Sequence, residues 1–163
     1  MDELIPLANL ESVLQEYAKE VRNLYQDKLI LHDRIASGAL LNSVEFEVAT
    51  INGDFVVSLI LEDWWKYVEY DTRPHWPPVN ALLNWVKVKP VIPSPDRNGR
   101  IPTPQQLAYL IGRKIAEKGT KGDGDLGDAV KEVNERYKEK IIAAMYSDMN
   151  DYIYKVVIQP YFG

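Results

Sequence analysis

Asn52-Gly53 stands between two runs of β-branched and aromatic residues and is the strongest local structural signal in the chain. An Asn-Gly pair favours the type I′ turn of a two-residue hairpin loop, because both turn positions need a positive φ. A turn at this point sets the register of the two strands residue by residue. The apolar face then pairs Thr50 with Phe55, Val48 with Val57, Phe46 with Leu59 and Val44 with Leu61, and the other face pairs Glu47 with Ser58.

Helical periodicity flanks this hairpin on both sides. Residues 7–30 carry apolar side chains at three- and four-residue spacing, which predicts an amphipathic helix with Asn9 as a candidate N-cap. The second strand is apolar on both faces over 56–61, so we expect the first helix to cover its far side. After the hairpin, Pro78 suits the first turn of a further helix. The apolar stripe of that helix is Val79, Leu82, Leu83 and Val86.

Two more helices are predicted in the second half of the chain. The proline-rich residues 88–103 form a loop, and Thr103-Pro104-Gln105-Gln106 then has the pattern of a capping box. The helix that follows ends at Gly119 in a left-handed cap. Its apolar stripe is Leu107, Leu110, Ile111 and Ile115. After a flexible break at 121–125 we expect a long final helix, with a strand over 152–158 as the competing interpretation.

Together these elements predict an α+β fold. An antiparallel β-hairpin-based sheet packs with a long N-terminal helix, two shorter helices and a long C-terminal helix. We expect residues 1–163 to form a single domain, with 88–103 as a loop and 123–163 as a C-terminal helical extension. Hydrophobic residues make up 46% and charged residues 26% of the chain, a balance typical of a folded domain.

Composition also limits the classes of function. The formal net charge is −5, from 19 basic and 24 acidic residues, and no basic cluster is long enough to follow a phosphate backbone. This charge balance argues against a nucleic-acid binder. Because the chain has no cysteine, disulfides, thiol nucleophiles and cysteine-based zinc sites are excluded. No apolar run approaches the roughly 20 residues of a membrane span, so we expect a soluble product made in a cytoplasm.

Two ligand motifs overlap in residues 122–134, and each fails a physical test. The glycines of 122–127 have the spacing of a dinucleotide-binding loop, but such glycines follow a strand and these follow a helix. The aspartates between them would repel a pyrophosphate. The same aspartates resemble the start of a calcium-binding EF-hand loop, yet Asn134 replaces the glutamate that closes such a loop. We therefore expect no cofactor and no metal.

Residues 62–71 concentrate carboxylates and aromatic rings. The carboxylates are Glu62, Asp63, Glu69 and Asp71. Carboxylates in such number suggest a small metal-dependent hydrolase, but we interpret them as a solvated strand end that leads into a turn. His75 is expected to have a hydrogen-bonded structural role, and no nucleophile elbow accompanies it. The aromatic rings have a composition that favours a protein contact.

Three blocks of sequence occur in an ordered set. The first is Ser37-Gly38-Ala39-Leu40-Leu41-Asn42-Ser43, the second runs from Tyr67 to Lys87, and the third runs from Ala108 to Lys121. They resemble the Gly-x-Leu-x-x-Ser segment, the Tyr-Val-Glu-x-Gly-Thr-x-Pro segment with its Trp-Val helix, and the Gly-Thr helix end of the tail-completion, or head–tail joining, family of tailed bacteriophages. Asp71 departs from the family's usual glycine, so the turn there cannot rely on glycine's freedom at positive φ.

The resemblance implies a non-enzymatic virion protein at the head–tail junction, assembled in the cytoplasm of the infected bacterium. It implies a homo-oligomeric ring, of twelve copies if the ring follows the portal, that contacts the portal and neighbouring ring or tail proteins. Packaged DNA would pass through the lumen without specific binding, and no membrane is involved. The candidate oligomer or partner interface is Trp64, Trp65, Tyr67, Tyr70, Asp71, Arg73, His75 and Trp76.

Three further hypotheses stay open. One is a six-fold tail-terminator ring, which differs from the leading hypothesis in copy number and position. Another is the metal-dependent hydrolase that would use the carboxylates of Glu62–Asp71. The third is a DNA-binding accessory protein, which would show affinity for DNA that falls steeply with salt.

Overall fold

A computed structural model describes residues 7–51, 53–89, 91–95 and 97–162. The described residues form α-helices and one two-stranded antiparallel sheet, which confirms the predicted α+β class. The elements are α1 Ala8–Leu31, α2 Ala39–Ser43, β1 Glu45–Ile51, β2 Asp54–Ile60, α3 Lys66–Glu69, α4 Val79–Val88, α5 Pro104–Lys118, α6 Asp125–Ile153, a π-helical turn Tyr154–Ile158 and α7 Gln159–Phe162. Two compact units divide the chain: unit 1 takes 1–26, 44–60 and 126–163, and unit 2 takes 27–43 and 61–125.

In unit 1 the hairpin has the register that the Asn-Gly turn predicts. The pairs are Phe46 with Leu59, Glu47 with Ser58, Val48 with Val57 and Thr50 with Phe55. The ladder starts with Glu45 opposite Ile60, so the predicted partnership of Val44 and Leu61 lies beyond the paired strands. Gly53 has a φ of +90°, as the turn requires, while Asn52 lies outside the described residues.

The rest of the chain buries the two strands of this hairpin only in part. Every described strand residue keeps some exposure, and the apolar face is half-buried. The guanidinium of Arg22 in α1 lies 5.5 Å from the centre of the Phe46 ring, so this helix contacts the apolar face. On the other face Ile60 remains 50% exposed. The prediction that α1 covers the far side of β2 is therefore wrong, and apolar surface is left open there.

Helices α1 and α6 contact each other along unit 1. The hydroxyl of Tyr17 donates to the side-chain oxygen of Asn134 at 2.8 Å, and the rings of Tyr17 and Tyr137 meet edge to face at 5.9 Å. Arg136 reaches Glu20 at 2.7 Å. The two helices also supply most of the buried apolar side chains of unit 1: Leu10, Ala18, Val21, Tyr25, Ala129, Val133 and Ala144.

The first turn of α1 is capped by a distant side chain. The predicted N-cap, Asn9, is inside the helix, which begins at Ala8. Asp148 of α6, only 3% exposed, accepts hydrogen bonds from the backbone N–H groups of Asn9 at 3.1 Å and Leu10 at 2.8 Å. Its carboxylate also accepts from the Asn9 side-chain amide at 2.7 Å. Asp148 therefore satisfies donors that a helix start leaves without intrahelical partners.

The C-terminal segment is helical, which confirms the favoured interpretation over the strand. Helix α6 extends to Ile153 and continues through the π-helical turn into α7. Much of this end exposes large apolar side chains: Ile142, Met145, Tyr146, Met149, Ile153, Tyr154, Val156, Val157, Ile158, Tyr161 and Phe162.

Within the described part of the chain, no helix combines the length and the apolar character that crossing a bilayer requires.

In unit 2, α4 packs against α5. Helix α5 has the predicted capping box: Thr103 Oγ1 accepts from the N–H of Gln106 at 3.3 Å, and the Gln106 side chain accepts from the N–H of Thr103 at 2.9 Å. Its buried residues are Ala108 and Gly112, whereas Leu110 of the predicted stripe is 42% exposed. A Cβ at Gly112 would lie 3.3 Å from Leu82 Cδ1, so small residues set the approach of α4.

Candidate functional site

The carboxylates of 62–71 were predicted to lie at the end of a strand, but they lie beyond it. β2 ends at Ile60, and the chain enters the short helix α3, where Glu69 is 6% exposed. Glu62, Asp63 and Asp71 are exposed. Within the described residues these four carboxylates do not bring three ligand oxygens within 4.8 Å of one another. A shared metal site therefore gains no support from their geometry.

The segment predicted as a flexible break is held against the end of α3 and the residues that follow it. Thr72 donates its N–H to the carbonyl of Thr120 at 2.9 Å, and Thr72 Oγ1 accepts from the N–H of Thr120 at 2.9 Å. The N–H groups of Asp123 and Gly124 donate to the carbonyls of Val68 and Glu69, both at 3.1 Å. The prediction of a flexible break here is wrong, because backbone hydrogen bonds fix both segments. We call this arrangement the 68–72/120–124 clamp.

Glycine and aspartate each have a defined role in this clamp. A Cβ at Gly119 would overlap the carbonyl oxygen of Thr72, and one at Gly122 would overlap the carbonyl oxygen of Glu69. Gly119 ends α5 with a positive φ of +73°, as predicted, but its ψ of −166° lies outside the left-handed helical conformation expected for the cap. Asp71 stands where the family that the sequence resembles has glycine, and its φ is not positive. Its carboxylate instead accepts from the N–H of Gly122 at 2.9 Å.

The candidate interface residues separate into groups. Trp65 and Tyr70 have their rings 5.8 Å apart, and Trp76 lies 5.6 Å from Tyr109 of α5 instead of joining them. His75 Nδ1 donates to the carbonyl of Arg73 at 2.8 Å, which confirms its hydrogen-bonded role. The large exposed apolar side chains in this set are Trp64, Tyr67, Tyr70 and Trp76, between 38% and 58% exposed, and Arg73, Asp71 and His75 are exposed as well.

Two clefts in unit 2 take different members of this set. Tyr67 and Asp71 line a cleft of about 980 Å³, whereas Trp64 lines another of about 540 Å³. Trp85 of α4 contributes to both. The cations on the larger cleft are Arg34, Lys114, Lys118 and Lys121. The larger cleft is therefore lined by both apolar and cationic side chains.

The structure contains a second cluster of polar side chains, which the sequence did not predict. The turn after α1 places the Arg34 guanidinium on the carboxylate of Asp123, and His32 Nδ1 lies 2.8 Å from Asp125 Oδ1. The hydrogen bond from Arg34 lowers the pKa of the Asp123 carboxyl below its usual range. His32 and Asp125 are 93 residues apart, so no local spacing could have revealed their contact.

Comparison with known proteins identifies no relative. The chain matches no protein-family model, no curated protein and no solved structure. A proposal about function therefore depends on the residues, their geometry and the sequence resemblance.

Proposed function

We propose that this chain is a structural virion protein that forms a ring at the portal–tail junction of a tailed bacteriophage. In this role it joins head to tail and helps to retain and conduct DNA. The observation that carries the proposal is the contact between two of the three blocks on which the resemblance depends. Thr72 of the second block and Thr120 of the third share backbone and side-chain hydrogen bonds although 48 residues separate them. The blocks thus belong to one structural unit.

Exposed apolar surface supports self-assembly. A head-to-tail ring needs two different complementary patches on each protomer. One candidate patch is the apolar C-terminal end of α6, which continues into α7 in unit 1. The other is the aromatic set around α3 in unit 2. Large exposed apolar patches on a folded chain typically mark protein contacts.

The charge of the chain is compatible with a DNA-conducting lumen. A channel through which DNA slides should not hold phosphates tightly, because each neutralised phosphate adds to affinity. With a net charge of −5, each protomer brings more acidic than basic side chains to the ring. We therefore expect DNA to pass without specific binding.

The test is assembly of the purified full chain, alone and mixed with the portal of the same phage. Light scattering gives the mass, and negative-stain microscopy gives the shape and symmetry. We expect rings or a stable complex with the portal. A twelve-fold ring supports the connector assignment, and a six-fold ring supports the tail-terminator hypothesis. A chain that stays monomeric and associates with no portal, tail or other virion protein contradicts the proposal.

The same protein preparation tests the hydrolase and the DNA-binding hypotheses. Metal-dependent hydrolysis that is lost in Glu69→Gln or Asp71→Asn would favour the enzyme. Affinity for DNA that falls steeply with rising salt would favour the DNA-binding accessory protein. We expect neither activity.

A further inference from the structure

Three side chains of unit 2 converge in a geometry that suits a metal ion. His32, Asp123 and Asp125 each offer one ligand atom, and these atoms all lie within 4.8 Å of one another; no other such group of three occurs among the described residues. His32 Nδ1 and Asp125 Oδ1 are 2.8 Å apart. Ligands that bind zinc at about 2.1 Å lie roughly 3 to 3.5 Å from each other. Small adjustments would therefore admit an ion.

A buried carboxylate oxygen in this cluster lacks a partner. Asp125 is 2% exposed, and its Oδ2 has no hydrogen-bond donor among the described residues. A buried charged oxygen without a donor is unfavourable, so native structures normally pair such atoms or bind them to a cation. The neighbouring cation, Arg34, is engaged with Asp123 through Nε and Oδ2. The unpartnered oxygen is an observation separate from the convergence of the three side chains, and it also indicates a cation.

The local charge favours a cation even with Arg34 present. Two carboxylates against one guanidinium leave one negative charge when the imidazole is neutral, and the neutral imidazole is the form that binds metals. The nitrogen ligand disfavours calcium and magnesium, which take oxygen ligands. Imidazole and carboxylate together suit zinc and the neighbouring transition metals.

Both sides of the cluster are fixed by the backbone. α1 ends in a turn in which Asp33 has a φ of +52° and the N–H of Arg34 donates to the carbonyl of Leu29 at 2.9 Å. This turn follows His32 directly and helps to hold it in the cluster. The 68–72/120–124 clamp holds Asp123 through its own N–H, and Asp125 is the first residue of α6. Ligands fixed in this way lose little conformational freedom on binding.

From this geometry we propose that His32, Asp123 and Asp125 form a binding site for a divalent transition metal ion of the zinc class. Three protein ligands leave a fourth position for water. His32 is 44% exposed, which gives the ion a path from solvent. Asp123 binds the ion through the carboxylate that Arg34 also holds, so Arg34 competes with the metal.

The test is calorimetric titration of the full chain with Zn²⁺ after treatment with a chelator. Absorption of Co²⁺ in the same preparation reports ligand geometry. We expect one Zn²⁺ per chain, with affinity at least tenfold weaker in His32→Asn and in Asp123→Asn. His75→Asn is the matched control, because the chain has two histidines and His75 bonds to Arg73 away from the cluster. Its affinity should equal that of the wild type.

Arg34→Gln gives a result that loss of folding cannot imitate. Removing the competing cation should tighten Zn²⁺ binding several-fold, and circular dichroism checks that every variant is folded. Absence of Zn²⁺ binding, equal loss in the His32 and His75 variants, or unchanged affinity in Arg34→Gln overturns the proposal. If His32→Asn does not fold, the direction of the Arg34→Gln effect decides.

Discussion

Asp148 is a buried carboxylate whose partners are the first N–H groups of α1. Replacing it with alanine in Asp148→Ala leaves the N–H groups of Asn9 and Leu10 without their acceptor. We expect the free energy of unfolding to fall by about 2 kcal/mol, as for the loss of a helix cap with buried donors. Urea denaturation measures this change. Asp151→Ala is the control, because Asp151 is exposed on the same helix; equal losses in both variants would contradict the capping role.

The same carboxylate predicts a dependence of stability on acid. Burial alone would raise the pKa of Asp148, but the hydrogen bonds from Leu10 and Asn9 outweigh burial and lower it below the ordinary 3.8. A carboxyl whose pKa is lower in the folded state contributes stability above its unfolded pKa and loses it as the pH falls through the folded pKa. The stability difference between wild type and Asp148→Asn should thus be constant above about pH 5 and shrink below 3.8.

Urea midpoints for these two proteins, taken from pH 7 to pH 3, test the acid dependence. A difference that stays constant to the lowest pH would show that proton binding to Asp148 is not involved.

At the scale of elements, the clamp joins the segment that follows α5 to the end of α3 and the residues after it. Small residues let neighbouring segments approach α5 and its cap closely in this part of unit 2. These residues are Ala108, Gly112 and Gly119. Small residues do not stand out in a periodicity that weights large apolar side chains. For that reason the predicted stripe of α5 included Leu110, which is 42% exposed.

Gly119→Ala tests the clamp. The new Cβ would overlap the Thr72 carbonyl, and the φ of +73° would be strained for alanine. We expect a loss of roughly 3 kcal/mol or more in the free energy of unfolding, measured by urea denaturation. Gly99→Ala is the matched control, because Gly99 also has positive φ, +76°, but has open space around its Cβ position. We expect this control to lose about 1 kcal/mol. Similar losses in the two variants would mean that backbone strain alone is responsible.

At the scale of the whole molecule, the C-terminal end of the chain exposes many large apolar side chains, and in the proposed function it is a candidate contact between copies. If this surface is a ring contact, a carboxylate placed on it would be desolvated on assembly. In Ile153→Asp/Val157→Asp we expect the oligomer to shift toward monomer, with the mass measured by light scattering. Lys155→Asp is the control, because it introduces the same side chain at an exposed polar position between them. An unchanged mass in the double variant would place the ring contact elsewhere.

Local chemistry accounts for the features that were predicted correctly. The hairpin register follows from Asn52-Gly53 and alternating side chains, and the α5 start follows from Thr103 and Gln106 three residues apart. The continuous C-terminal helix follows from its periodicity. Each of these depends on residues close together in the chain, where φ preference and side-chain spacing decide the structure.

Only the tertiary structure decided the contacts between distant residues. Asp148 caps Leu10 from 138 residues away, and His32 reaches Asp125 across 93. Trp64 and Tyr67 were found as candidates from their residue type, but their placement in two different clefts was not predicted. The physical reason is that polar partners are selected by where the chain brings them together. The spacing of residues in the sequence indicates helical or strand periodicity and turns. It does not indicate where a side chain from a distant helix will lie.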